Sequence, residues 1–130
     1  MTSDYPLSIH PSIFIGRKPV AVLIGGEIIP TPSWRKVYKE ILQHCIKDLV
    51  YHERLMSLRG KLAGKERVFI SSKPDTMSCP LKICEEMYGE VHYGSQTLMR
   101  ILTERILTAI NFDYSDIKIR LSNDRKKRYG

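Results

Sequence analysis

The stretch that decides the fold runs from Lys18 to Leu55, "KPVAVLIGGEIIPTPSWRKVYKEILQHCIKDLVYHERL". It opens with two runs rich in β-branched residues, separated by Gly25-Gly26. Paired glycines accept the positive φ angles of a two-residue turn, so this half reads as a β-hairpin. The second half changes period. Trp34, Val37, Tyr38, Ile41, Leu42, Cys45, Ile46 and Leu49 recur at three- and four-residue steps, the stripe of an amphipathic helix. Ser33, directly after Pro32, is the expected N-cap. Lys36, Lys39, Glu40, Gln43, Lys47 and Asp48 fall on the other side. A helix of about seventeen residues, roughly 25 Å long, is predicted.

Outward from this core, residues 1–16 hold Pro6 and Pro11 among mixed polar and apolar positions. They read as an irregular lead-in, with Ile13, Phe14 and Ile15 available to pin it. C-terminal to the helix, Gly60 and Gly64 punctuate a basic connection. "RVFIS" (67–71) is a short strand candidate, and "SKPDTMSCP" (72–80) reads as loop. "LKICEEMYGEVHY" (81–93) is ambiguous: its start suits a helical turn, whereas "YGEVHY" alternates like a strand. A second helix is predicted from Ser95 to about Ile110, with Leu98, Ile101, Leu102, Ile106, Ala109 and Ile110 on one face and Asn111 as its stop. "DIKIRL" (116–121) closes the fold as a strand with Ile117, Ile119 and Leu121 inward.

The expected class is α+β: two amphipathic helices packed on a small, mostly antiparallel sheet, with a winged-helix-like arrangement as the alternative. One domain spans 17–122, preceded by the lead-in and followed by a basic tail, 123–130. A chain of 130 residues, 42% hydrophobic and 27% charged, is long enough to bury a core without staples. No apolar run approaches the length a bilayer crossing demands. The N-terminal residues lack the basic start and apolar stretch of a signal peptide. Three cysteines, Cys45, Cys79 and Cys84, suit a reducing compartment better than a disulfide framework.

The formal net charge is +7, and Arg125, Lys126, Lys127 and Arg128 supply four of those charges, leaving +3 elsewhere. The tail reads either as an electrostatic clamp for phosphates, with Tyr129 free to stack, or as a solvated end. A second basic cluster, Arg59, Lys61, Lys65 and Arg67, is either a backbone-contacting loop or an exposed connection. "YGSQTLMRIL" (93–102) carries the third candidate. Helix N-termini attract phosphates, and recognition helices read bases from polar first turns, which fits Ser95, Gln96, Thr97 and Arg100. The competing reading makes Ser95 a cap and pairs Arg100 with Glu104.

Catalytic patterns are sparse. "KPD" (73–75) and "DIK" (116–118) echo the acid-and-lysine halves of metal-dependent nucleases, yet a predicted helix intervenes where a short connection is usual. His10, His44, His52 and His92 show no pairing with a serine or cysteine. Cys79, Cys84 and His92 lack zinc spacing and a fourth ligand. No phosphate-binding glycine loop occurs. No cofactor and no metal are expected.

Two segments, "GGEIIPTPSWRKVYKEIL" (25–42) and "YGSQTLMRILTERILTAINFDYSDIKIRL" (93–121), resemble a small α/β module of bacterial and phage mobile-element and defence-associated proteins. In it a strand-turn-strand leads into a Ser-Trp helix, matched by Ser33 and Trp34, and a later helix has a polar first turn, matched loosely by Ser95 and Gln96. The resemblance covers about Val20 to Leu121 and implies the cytoplasm of a bacterium or phage-infected host. The expected function, resting on Arg100, the Arg59–Arg67 connection and the basic tail, is a non-enzymatic nucleic-acid-binding or nucleic-acid-associated module. The alternative is a small phage-type inhibitor or adaptor, anti-CRISPR-like, that binds a defence nuclease complex.

Overall fold

A computed structural model describes residues 1–61 and 68–123. Lys65, Arg67, Gly64 and the tail residues Arg125, Lys126, Lys127 and Arg128 lie outside the described residues. The architecture is α+β, with antiparallel strand pairing in both of its sheets.

The hairpin forms as expected. Strand β2 (Pro19–Ile24) pairs with β3 (Glu27–Pro30) from Ala21↔Pro30 to Ile24↔Glu27, and Gly25 and Gly26 turn the chain at φ +59° and +77°. Helix α1 (Trp34–Cys45) starts where Ser33 Oγ accepts the Lys36 N–H at 3.2 Å. Its inward face is fully buried, from Val37 and Tyr38 through Ile41 and Leu42 to Cys45.

The predicted single helix is in fact two. After Cys45 the Asp48 carboxylate accepts the Val50 N–H at 2.8 Å and starts α2 (Leu49–Ser57) as its N-cap. Aspartate offers its neighbours' amides a non-helical partner, so a charged residue on the polar face ends one helix and begins another. The register is lost with the break, and Leu49, expected on the inner stripe, is 70% exposed.

Among the described residues the expected layer of strands divides into two sheets, one in the order β1 (Thr2–Pro6), β7 (Lys118–Ser122), β2, β3 and one in the order β4 (Ile70–Ser71), β6 (Met87–Glu90), β5 (Pro80–Cys84). The N-terminal residues are not irregular throughout: β1 (Thr2–Pro6) pairs with β7 (Lys118–Ser122) along its whole length. A 3₁₀ turn at Pro11–Phe14 then buries Phe14, whereas Ile15 stays 54% exposed. The second sheet is built from β4 (Ile70–Ser71), β5 (Pro80–Cys84) and β6 (Met87–Glu90). The ambiguous segment is thus a hairpin turning at Glu85-Glu86, with Glu86 at φ +61°. Helix α1 lies between the two sheets, against β2 on one side and β5 on the other.

Helix α3 (Ser95–Arg100) continues into a π-helical segment, Ile101–Leu107. The buried Thr103 hydroxyl bonds back to the Met99 carbonyl at 2.9 Å, and the Thr103 carbonyl accepts both the N–H and the hydroxyl of Thr108, at 3.2 and 2.7 Å. Each wide turn holds extra chain and rotates the remainder of the helix about its axis. Leu107 and Thr103 are therefore buried, while Ala109, placed inward by a 3.6-residue period, is exposed. Asn111 ends the segment at φ +55°, the left-handed conformation that asparagine tolerates. In β7, Ile119 and Leu121 point inward as expected, and Ile117 just ahead of it is buried too.

Candidate nucleic-acid interface

Of the three described cations predicted to meet a ligand, Arg59 and Arg100 are engaged within the fold and Lys61 is not. Arg59 is half-buried: its Nε donates to the Met56 carbonyl at 2.9 Å and its Nη1 to the Glu86 carbonyl at 3.0 Å. It closes the C-terminal end of α2 and holds the β5–β6 turn. Lys61 is exposed, with its backbone N–H bonded to the Leu58 carbonyl. Arg100 and Glu104 stand one turn apart with 3.7 Å between Nε and Oε2, so the i,i+4 pairing holds.

The polar first turn of α3 is partly engaged within the fold. The N-cap is Gly94, and no side chain caps the helix. Ser95 instead donates its hydroxyl to the Phe14 carbonyl at 3.0 Å, tying α3 to the N-terminal 3₁₀ turn. Gln96 is half-buried and Thr97 exposed. The structure does not join Arg59, Lys61 and Arg100 into one patch. Arg59 and Lys61 follow α2, whereas Arg100 ends α3 and faces Glu104.

Other arginines are likewise tied. Arg54 donates to the Ile110 carbonyl at 2.9 Å and covers the Tyr51 ring. Arg105 lies over the Phe69 ring. Arg120 forms a two-pronged pair with Asp4, at 2.8 and 3.2 Å, which holds the Asp4 carboxyl below the usual range.

A different cationic corner emerges where β7 ends. Asn123 donates its N–H to the Met1 carbonyl at 3.0 Å and accepts the Ser3 hydroxyl at 3.0 Å. Arg17 binds the same end of β7: Nη2 reaches the Ser122 carbonyl at 3.5 Å and Asn123 Oδ1 at 3.4 Å. Its Nη1 reaches the Tyr5 hydroxyl at 3.2 Å, with the guanidinium over that ring. Ser122 N–H bonds to the Lys18 carbonyl, and Trp34 Nε1 donates to the Arg17 carbonyl at 2.9 Å. The last bond sets the first turn of α1, with exposed Arg35, against the segment that carries exposed Lys18. Neither Lys18 nor Arg35 has an acidic partner among the described residues. From this corner the sequence continues into Arg125-Lys126-Lys127-Arg128.

Local sequence signals do not single out Arg17, Lys18 and Arg35, because they fall outside any basic run of note. The usable signal is slight: Arg17-Lys18 immediately precedes the β2 run, and an antiparallel neighbour of β2 must end near its start.

The carboxylates and histidines sort differently. Asp75 lies in an exposed 3₁₀ turn and Asp116 in the turn before β7. Among the described residues no three of His, Cys, Asp and Glu are grouped so as to hold a metal ion. Two histidines expected to stand alone do have partners: His10 Nδ1 lies 2.8 Å from Ser12 Oγ, and His52 Nε2 lies 3.7 Å from Cys84 Sγ. The first joins residues two apart at a helix cap, whereas the second depends on folding that local spacing does not reveal. No described helix is long and apolar enough to cross a membrane.

Compared with known proteins, the chain matches no family model, and no curated protein or solved structure is significantly similar to it.

Proposed function

We propose that this chain is a non-enzymatic nucleic-acid-binding module that meets phosphates through Lys18 and Arg35, with the cations of the sequence Arg125-Lys126-Lys127-Arg128 adding to the contact. One observation carries the reading. The Ser122 N–H bond to the Lys18 carbonyl holds the end of β7 against exposed Lys18, and the Trp34 bond to the Arg17 carbonyl ties the first turn of α1, with exposed Arg35, to the same segment. Neither cation has an acidic partner among the described residues. Arg17 positions the end of β7, since its guanidinium is spent on Tyr5, Ser122 and Asn123. Contacts of this kind recognise phosphates and carry no base code. The proposed setting is the cytoplasm of a bacterium or phage-infected cell, in keeping with the resemblance to mobile-element and defence-associated modules.

The test is binding of duplex and single-stranded oligonucleotides by anisotropy across a salt series. Each phosphate contact contributes about 0.9 to the slope of log affinity against log salt on duplex DNA. Lys18→Ala with Arg35→Ala is expected to flatten the slope by about 2, and deletion of 124–130 by roughly 3 to 4. Arg59→Ala and Arg100→Ala leave it unchanged. Absent binding, or a slope indifferent to Lys18 and Arg35, overturns the proposal.

One observation favours a second reading, a protein-binding adaptor of the phage-inhibitor kind. Leu49 and Val50 are 70% and 52% exposed at the start of α2. They adjoin Tyr51, which packs edge-on against Phe112 and carries Arg54 over its face. Exposed apolar residues beside tyrosine and arginine have the composition of a protein interface. Leu49→Asp with Val50→Asp would then abolish co-purification of a partner while sparing oligonucleotide binding.

A further inference from the structure

The three thiols occupy unlike surroundings. Cys45 is fully buried in α1, and burial pushes its pKa up to about 12. Cys79 is half-buried in the loop before β5, where its N–H donates to Glu90 Oε2 at 2.8 Å and its carbonyl accepts the Val91 N–H at 3.1 Å. Cys84 is half-buried at the end of β5, with Sγ 3.7 Å from His52 Nε2. That separation is within reach of a sulfur–nitrogen hydrogen bond, and the same thiol also reaches the Glu85 carbonyl at 3.6 Å, so its proton has two acceptors.

Three elements build this pair. Helix α2 carries His52, with its N–H bonded to the Asp48 carbonyl at 2.9 Å. Strand β5 carries Cys84, and the Glu85-Glu86 turn just beyond is clamped by Arg59 through the Glu86 carbonyl at 3.0 Å. The charged groups facing the thiol are Glu85, Arg59 and Lys82. Burial and Glu85 raise the Cys84 pKa, while Arg59 and Lys82 oppose them. At rest the sulfur is therefore a protonated thiol, and it needs a base to become a nucleophile.

We propose that Cys84 and His52 form a thiol–imidazole pair that makes Cys84 a site of reversible S-thiolation by small disulfides. His52 Nε2, with the ring proton on Nδ1, accepts the proton of the Cys84 thiol. The thiolate attacks one sulfur of a low-molecular-weight disulfide. A Cys84–S–S–R bond forms as the R–S–S–R bond breaks, and the departing thiolate takes the proton back from His52 to leave as R–SH. No electron enters or leaves overall. The adduct sits at the junction of α2 with the β5–β6 turn, on elements other than β7, and is independent of any role in binding nucleic acid.

The experiment incubates the full chain with oxidised glutathione under native conditions and monitors adduct formation by intact mass and peptide mapping. The first adduct is expected on Cys84, to vanish in Cys84→Ser and to persist in Cys79→Ser. His52→Ala is expected to slow it at least about tenfold, and free imidazole added to that variant restores much of the rate. Imidazole rescue separates a proton acceptor from a side chain that merely packs. Thermal unfolding of each variant confirms that it is folded, and His52→Gln serves if the alanine variant is not. First modification at Cys79, an unchanged rate without His52, or a slowed rate that imidazole leaves untouched in a folded variant overturns the proposal.

Discussion

Tyr38 and Gly89 meet at the point where α1 presses on the second sheet, and their contact makes a quantitative prediction. Tyr38 is 0% exposed, and its hydroxyl has no hydrogen-bond partner among the described residues. Burial, aided by Tyr93 and Glu90, pushes its ionisation far above the ordinary phenol range. A Cβ built on Gly89 would stand 2.6 Å from Tyr38 Cε1 and 2.9 Å from Cζ, with the hydroxyl closer still. Gly89 is also paired on both sides, with Ile70 of β4 and Leu81 of β5, so the strand cannot retreat without breaking a ladder. Overpacking of a core costs about 1–3 kcal/mol, and this rigid case should fall near 3 for Gly89→Ala. In a chain of 130 residues that corresponds to a melting temperature lower by about 10 °C. Tyr38→Phe goes the other way. It removes a buried hydroxyl whose lost hydration costs about 1–3 kcal/mol, at the expense of an oxygen-sized void, so a gain of about 1 kcal/mol is expected. The double variant relieves only the closest contact, because the ring carbons remain. It should recover about 1 kcal/mol of the glycine penalty, read as a coupling energy in a urea-unfolding cycle. A neutral Gly89→Ala, or a Tyr38→Phe that destabilises by more than about 1 kcal/mol, would refute the packing and the orphaned hydroxyl respectively.

Other perturbations act on single contacts. Ser33→Ala removes the oxygen that accepts the Lys36 N–H and should cost about 1 kcal/mol in chemical denaturation. Gly25→Ala meets both a φ of +59° and a His44 Cε1 at 2.8 Å, so a loss of about 1–2 kcal/mol is expected, partly recovered when His44→Ala is added. His44 itself is held below the ordinary histidine value of 6.5, first by burial and then by Lys47, against the pull of Glu27. A folded pKa below the unfolded one gives stability that is complete above about 6.5 and is lost as pH falls through the folded value. The wild type should therefore melt progressively lower as pH drops from about 6.5 towards 5, and His44→Gln should shed that part of the slope. For Asp4, held low by Arg120, the loss begins only as pH falls below the ordinary carboxylate range, and Arg120→Ala removes it.

The parts of the fold that could be read from sequence are those where one local signal sufficed. Gly25-Gly26 names its own turn, Ser33 its own cap, Asn111 its own stop, and Ile117, Ile119 and Leu121 alternate whatever lies beside them. The parts that escaped need a competing or distant partner. Apolar periodicity runs unbroken past Cys45, so only the Asp48 carboxylate, choosing the Val50 amide, divides α1 from α2. The β5–β6 turn has Glu86 where glycine or asparagine is usual, which leaves no punctuation between the strands. Strand β1 looks like a polar leader because an edge strand need show only half an apolar face, and its partner β7 lies at the far end of the chain. The π segment turns on the bonds of Thr103, a residue with no special signal in a helical window.

The site was less legible for a reason that composition cannot reveal. A count of lysines and arginines measures charge, whereas binding depends on which cations the fold leaves unspent. Arg59 and Arg100 look as available in the sequence as Lys18 and Arg35. Yet Arg59 closes a helix end and Arg100 faces Glu104, while Lys18 and Arg35 meet solvent with no acid beside them among the described residues. The difference is set largely by backbone carbonyls. Arg59 finds two at the seam between α2 and the β5–β6 turn, and Arg17 takes one near Asn123, whereas Lys18 is exposed. The same seam brings Cys84 to His52, thirty-two residues apart in sequence. Arg59 thus spends two of its donor nitrogens on backbone carbonyls and fixes the turn on which the thiol stands. Arg59→Ala should accordingly alter the rate of Cys84 modification while leaving the salt slope of oligonucleotide binding untouched, and a change in the slope instead would return Arg59 to the interface.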